Sequence, residues 1–302
     1  MDLPGPGERH LSVGNINLDI VLSVPHPPGL EESLVALDQW IGLGGAAANY
    51  AIAMARMGGR CSIVAATGGV SEDLGLLSIL RGTGVDVSHV KLVPGEGPGV
   101  AVVISIPSIS SRIIVKSRGA NRHLRPEDLP IGRWAHVHLA SVDPMLAARA
   151  SEMYDSVSYD PGGVAISSPR EVLSVAPLVD YVMVNSRELE ALAGGSGVDS
   201  ARRLLGGRVK AVVVKMGVEG AYAVSRMGVV RVTSPRVKVL DTTGAGDAFN
   251  AAFNLWISRG ASLGDALRAG VAAGAAKVSR IGSSSMPSLE EVLEVMSMIP
   301  PV

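Results

Sequence analysis

Short runs of valine, isoleucine and alanine recur along the chain, at CSIVAAT (61–67), AHVHLAS (135–141), DYVMVNS (180–186) and KAVVVKMG (210–217), and each stands beside a stretch whose apolar residues return every three or four positions. Runs without polar alternation belong to strands buried on both faces, and helical spacing between them is the pattern of a mainly parallel sheet with helices on both faces, an α/β fold. The spacing predicts helices over 46–57, 71–81, 144–155, 186–192, 200–205, 245–258 and 263–280. Two regions depart from the alternation: NINLDIVLSV (15–24) with SLVALDQWI (33–41), and GVAVVISIPS (99–108) with RIIVKSR (112–118). Each reads as β structure without a helix. They are either edge strands of the main sheet or, the expectation adopted, partners in a small β-sheet lid whose strands come from roughly 16–40 and 97–118 and are inserted in one domain spanning 1–302.

Charge and composition narrow the partners. With 27 basic and 28 acidic residues, a formal charge of -1, and only 3 Trp, 5 Tyr and 2 Phe, the chain lacks both the positive excess and the stacking platforms that nucleic acid demands. Cys61 is the one cysteine, which rules out an internal disulfide, and its apolar neighbours mark it as a core thiol rather than a nucleophile. No apolar run reaches the length of a bilayer span, and MDLPGPGERH lacks the basic-then-apolar pattern of a signal peptide. The expected location is the cytoplasm, with no membrane partner.

The chemistry concentrates in VLDTTGAGDAFNAAF (239–253). Gly244, Ala245 and Gly246 leave the first amides of a helix uncovered, at the positive end of its dipole, and Asp247 follows at once. Preceded by the apolar RVKVL (236–240), read as a strand, this is an anion hole with a neighbouring base. A Walker P-loop is absent. The second glycine-rich stretch, GLGGAAANYAIAMARMG from Gly42, fits G-x-G-x-x-A and raises a nicotinamide-dependent oxidoreductase as an alternative. Against it, LVALDQW is a poor central strand, and Ala65, Ala66 and Thr67 stand where an acidic ribose ligand belongs. His136 and His138 alternate on an apolar strand and read as satisfied core histidines, while Lys116, Arg118, Arg122 and Arg125 flank GAN (119–121) as a solvated rim or an anion clamp.

GGAAANYAIAMARMG and DTTGAGDAF together, with GVDVSHV, GAN, NSRE (185–188) and VKMGVEG (214–220) between them in order, resemble the ribokinase-like carbohydrate kinase family, the PfkB family, over nearly the whole length. The resemblance implies a ribokinase-like fold and ATP-dependent phosphoryl transfer to a hydroxyl group, assisted by magnesium. It makes Asp247 the base and the amides of Gly244, Ala245 and Gly246 the anion hole. It places Asn17, Asp19, Gly44, Gly45 and Asn49 against a sugar, with Asn121 and Arg118 beside them at the GAN turn. Asn185 and Glu188 would hold magnesium through water and the nucleotide phosphates, and Lys215, Gly217 and Gly220 would line the nucleotide. Asp241 and Thr243 match positions that hold a monovalent cation such as potassium in many members; Met286, next to Ser285, stands where ribokinases usually carry serine.

A neutral sugar of the ribose type, or a nucleoside, is the expected substrate, since Asp19 would repel a phosphate lying close to it. A sugar phosphate, such as fructose 6-phosphate or ribose 1-phosphate, is the alternative if a cation among Arg112, Arg118 and Arg122 enters the pocket. A sugar-binding protein without catalysis is a third reading. Association into a homodimer through the lid would cover its open edges.

Overall fold

The computed structural model describes residues 9–109 and 111–302. Among these residues thirteen strands form two sheets. In chain order they are β1 (Arg9–Gly14), β2 (Asn17–Ser23), β3 (Asp38–Gly44), β4 (Arg60–Gly68), β5 (Asp86–Val93), β6 (Gly99–Ile106), β7 (Ser111–Ser117), β8 (His136–Ala140), β9 (Val157–Asp160), β10 (Tyr181–Asn185), β11 (Ala211–Lys215), β12 (Ala221–Ser225) and β13 (Gly228–Val232). The large sheet runs β13-β12-β11-β10-β9-β8-β1-β4-β5, parallel from β11 through β5, with β12 and β13 added antiparallel at one edge. The unbroken apolar runs are its central strands, as expected. Along them the side chains alternate between two buried layers. Ile63, Met183 and Val213 pack with Tyr50, Phe253 and Trp256 on one face, and Val64, Val182 and Val212 with Leu146, Val172 and Leu189 on the other.

The second sheet has the order β3-β2-β6-β7 and is built from the two regions that broke the alternation. β2 pairs β3 and β6, with Asp19 opposite Gly42 and Ala101, and Ala101 in turn opposite Lys116 of β7. Residues in register share a face, so Asp19 and Lys116 point to the same side.

Three local expectations are corrected. The segment 71–81 is two helices, Val70–Asp73 and Leu76–Gly82, because Gly75 adopts a left-handed conformation (φ 70°) that interrupts the first. RVKVL is no strand; Leu240 and Asp241 donate their amides to Val278 O, so the segment is tied to the last turn of the helix Leu263–Val278. SLVALDQWI becomes a strand only from Asp38, and that strand lies in the small sheet. The Gly42 loop therefore does not follow a central parallel strand, as a dinucleotide site requires.

Candidate active site

On leaving β1 the chain builds β4 and β5 to one side and later β8 to β11 on the other, so the strand order reverses beside β1. In open α/β sheets the crevice beyond the carboxyl ends of the strands at such a point is where ligands bind. Asp160, Asn185 and Lys215 are the last residues of β9, β10 and β11, and Gly14 ends β1 a short loop before Asn17. The helix Ala245–Ser258 runs antiparallel to these strands. Ser258 Oγ meets His10 Nε2 at 3.1 Å, Asn254 Nδ2 donates to Ser158 Oγ at 2.9 Å, and Asn250 Nδ2 donates to Asp160 Oδ2 at 2.6 Å. Its first turn is thereby delivered to the crevice. The first turn of the helix Ala46–Arg56 arrives at the same place, where Asn49 Nδ2 donates to Asp247 Oδ2 at 2.8 Å and so joins the two glycine-rich motifs across 198 residues.

The small sheet covers this crevice. Asp19 is 5% exposed, and a Cβ on Gly44 would stand 2.0 Å from its carboxyl group, so glycine at 44 makes room for the carboxylate. Asn121 bridges backbone and side chain: its Oδ1 accepts from Ile16 N at 3.0 Å, while its Nδ2 donates to Ile16 O at 3.1 Å and to Asn17 Oδ1 at 2.8 Å. A Cβ on Gly99 would lie within 2.2 Å of both amide groups, so Gly99 belongs to the same device. Gly45 (φ 97°) faces Asn15 O at 2.4 Å from its virtual Cβ and turns the chain into the helix. Beside this crevice two buried acceptors, Asp19 Oδ1 and Asn49 Oδ1, lack a hydrogen-bond partner among the described residues. Arg118 is exposed, and exposed Arg122 pairs with Glu96; the side chain of Arg112 lies outside the described residues.

Electrostatically the site is a cluster of carboxylates around one lysine. Burial raises the Asp247 carboxyl to about 7; the Asn49 hydrogen bond opposes this, Asp160 adds to it, Lys215 opposes it and Asp19 adds to it. Burial and the charge of Asp160 raise Glu188 to about 7 against the pull of Lys215. Lys215 Nζ donates to Asp160 Oδ2 at 2.5 Å and to Asn250 Oδ1 at 3.2 Å. Burial lowers its pKa, but Asp160 and Glu188 outweigh that and hold the ammonium charged. A Cβ on Gly246 would be 3.6 Å from Lys215 Nζ and meet nothing closer, so the lysine flanks the open amide turn. Of the three expected amides, that of Ala245 already donates to Thr242 O at 3.3 Å; those of Gly244 and Gly246 make no backbone hydrogen bond among the described residues.

Asn185 caps the helix Ser186–Ala193, accepting at Oδ1 from Arg187 N and Glu188 N, both at 3.0 Å, while Glu188 returns to Asn185 N at 2.9 Å and Asn185 Nδ2 at 2.6 Å. Among the described residues no three His, Cys, Asp or Glu side chains are grouped to hold a metal. Magnesium, which keeps several waters and binds through phosphates, needs no such cage, and Glu188, whose two oxygens accept from Asn185, would reach it through water. Gly217 (φ 59°) turns the chain after β11 with open space above it, whereas Gly220 (φ 96°) is required by β13, since its Cβ would meet Val232 O at 2.0 Å. Asp241 accepts from Thr243 N at 2.9 Å and from Gly282 N at 3.0 Å. A cavity of about 530 Å³ lies between the inner face of the small sheet (Val21, Trp40, Val103) and the loop Val239–Thr243, flanking the reaction centre rather than including it.

Asp160 and Asn250 escaped sequence reasoning. Asn250 lies one helical turn from Asp247 and so on the same face, a signal within reach; Asp160 ends a short strand of unremarkable pattern. His136 and His138 are buried, bonded to Ser156 and Ser158, and burial drives His138 to about 3.

The model of the pfkB family of carbohydrate kinases matches residues 8–290. The chain belongs to that family. It is 30% identical over 301 residues to a ribokinase of Haemophilus influenzae, spanning 94% of this chain and 97% of the relative. It is also 30% identical to an ATP-dependent ribose-1-phosphate kinase of Halopiger xanaduensis, over 96% and 98% of the two chains. A solved structure of Arabidopsis thaliana ribokinase complexed with ribose and ATP superposes with a TM-score of 0.79 at 26% identity, covering 97% of this kinase and 99% of that chain. The kinase is thus a ribokinase-fold phosphotransferase with an alcohol group as acceptor, and the oxidoreductase alternative falls. No helix among the described residues is long and apolar enough to cross a membrane.

Proposed function

We propose that this kinase transfers the γ-phosphoryl group of ATP, with magnesium, to a hydroxymethyl group of a neutral sugar of the ribose type or of a nucleoside. The observation that carries this reading is the pair of unpartnered buried acceptors, Asp19 Oδ1 and Asn49 Oδ1, the second on the amide that donates to the Asp247 carboxylate. Buried acceptors without donors are costly, and a polyol supplies hydroxyl donors in just such an array. Asp247 takes the proton of the attacking hydroxyl, and the Gly244 and Gly246 amides with Lys215 meet the charge on the transferring group, whose loose transition state rewards positioned positive charge. Asn185 and Glu188 hold the hydrated magnesium, which neutralises the nucleotide phosphates when bound. Gly217 and Gly220 line the nucleotide.

The exposed positions of Arg118 and Arg122 support a neutral substrate. One observation favours a sugar phosphate as a second reading: Lys116 lies on the same face as Asp19, and its charge acts on that carboxylate. Formation of ADP over a panel of ribose, deoxyribose, nucleosides, ribose 1-phosphate and fructose 6-phosphate, in wild type and Lys116→Met, separates the two. Activity on neutral acceptors that survives the substitution supports the first; activity confined to a phosphorylated sugar and lost with Lys116 replaces it with the second. No ADP release with any acceptor would contradict both.

The chain acts as one domain in the cytoplasm, with the small sheet as its hinged cover. The outer face of that sheet presents Ile41, Ile113 and Val115, each at least 41% exposed, and pairs two copies into a homodimer. Sugar-induced slowing of amide exchange in β2, β3, β6 and β7 beyond that in the large sheet tests the cover, and sedimentation tests the dimer.

A further inference from the structure

A buried lysine lies beside the segment that carries Asp241. Lys277, in the last turn of the helix Leu263–Val278, is fully buried, and its Nζ donates to Arg280 O at 3.3 Å. That turn is the negative end of the helix dipole, which favours a cation there. The segment leading to the anion turn is fastened to it, with Leu240 N and Asp241 N both donating to Val278 O, at 2.7 and 3.1 Å. The ammonium therefore lies within the electrostatic reach of Asp241 and of Asp247; burial lowers its pKa, and both carboxylates act against that loss of charge.

The residues that resemblance assigns to potassium do not suit the ion. Both oxygens of Asp241 already accept from backbone amides, of Thr243 and Gly282, which lessens the charge they offer a directly bound ion. Met286, buried to 1% exposure, brings its methyl group to 3.1 Å from the position of a Cβ on Gly244, so an apolar group fills the loop facing the anion turn. A second positive charge beside a buried ammonium would be repelled in a medium of low dielectric.

We propose that the Lys277 ammonium is this kinase's own monovalent cation: it supplies the positive charge behind Asp241 and the start of the helix Ala245–Ser258, and the enzyme neither binds nor needs potassium there.

The kinetic arm of the test rests on the phosphoryl-transfer reading; a thermal arm does not. In tetramethylammonium buffer, with potassium, sodium or ammonium chloride added at constant ionic strength, wild type is expected to keep the same turnover and the same unfolding temperature. Lys277→Ala, which leaves a cavity, is expected to lose about tenfold or more in turnover, to regain it with ammonium or potassium, and to be stabilised by those ions as a native-state ligand would do. Lys277→Met, which fills the space without charge, is expected to stay impaired in every salt. A wild type that potassium activates several-fold, or stabilises where sodium does not, overturns the proposal. If no acceptor is phosphorylated in any salt, the kinase reading fails by itself, and the unfolding temperatures of wild type and Lys277→Ala in potassium still decide whether the ammonium holds the site. Should Lys277→Ala fail to fold, the wild-type titrations decide alone.

Discussion

Among the helices that begin on a glycine of positive φ without a side-chain cap, two meet at the crevice, Ala46–Arg56 after Gly45 (φ 97°) and Ala245–Ser258 after Gly244 (φ 81°). At the first, the glycines are filled in by the protein itself: Asp19 occupies the space above Gly44, and Asn15 O the space above Gly45. At the second, Gly244 is backed by Ser283 O, but Gly246 faces only the tip of Lys215, so the turn stays open on the side of the crevice. The same local sequence device thus serves once to seat a carboxylate of the protein and once to leave a turn open, where the proposed function puts the anion. The Asn49 to Asp247 hydrogen bond fixes the two starts against each other, and under the proposed function it holds the carboxylate between the acceptor hydroxyl and the transferring phosphoryl group.

The comparison breaks most severely at Asp247. Asp247→Asn keeps a hydrogen-bonding group for Asn49 but removes the base, and turnover is expected to fall by about 10²-fold or more while ATP binding, followed by calorimetry, is retained. Because burial raises the Asp247 carboxyl to about 7, its native form binds a proton more readily than its unfolded form. Its contribution to stability is therefore fully present below the unfolded pKa and is lost as pH rises through about 7. The variant should accordingly unfold no earlier than wild type at pH 8, which thermal melts of both proteins check.

A methyl group at Gly44 acts on the closed start. The Asp19 carboxylate must swing aside, since the added Cβ would lie 2.0 Å from it. Gly44→Ala is expected to raise the KM for the sugar by roughly tenfold to a hundredfold, the worth of one hydrogen bond to a charged group, with a smaller change in the KM for ATP. Equal effects on both would mean that Asp19 does not face the acceptor.

At the open start the same substitution should be mild in structure and visible only in the chemistry. Gly246→Ala places its Cβ in ordinary contact, 3.6 Å from Lys215 Nζ. Alanine in place of glycine near a helix start favours folding by up to about 1 kcal/mol. The melting temperature is expected to hold or rise while turnover falls by roughly tenfold, because the methyl group screens an amide from the transferring phosphoryl group. Unchanged turnover would remove Gly246 from the anion hole.

Sequence and structure part company in an instructive way around these two starts. The large sheet was legible because strands buried on both faces carry unbroken apolar runs, and the helix Ala245–Ser258 has the bounds its spacing predicts. The glycine motifs were legible because a backbone that must be approached closely tolerates few residues. What stayed hidden depends on register and on distant pairing. Gly99 reads as an ordinary turn glycine until β6 sets it beneath the Asn17–Asn121 contact. Asp160 gains its meaning only when parallel pairing brings the end of β9 level with Lys215, and Lys277 looks like a surface lysine until the loop after it folds back over the ammonium. RVKVL misled for the opposite reason: its apolar residues, Val239 and Leu240 among them, are half exposed and pair with a helix end instead of a strand.

The central claim, that Asp247 is the group whose deprotonation switches on phosphoryl transfer, is tested most directly by the pH dependence of kcat/KM for the acceptor, measured between about pH 5.5 and 8.5 at saturating Mg-ATP. Wild type is predicted to lose activity as pH falls through about 7, approaching one decade per pH unit, and Asp247→Asn to show a low, flat profile over the same range. A flat wild-type profile, or an acid limb that persists in Asp247→Asn, would contradict the assignment.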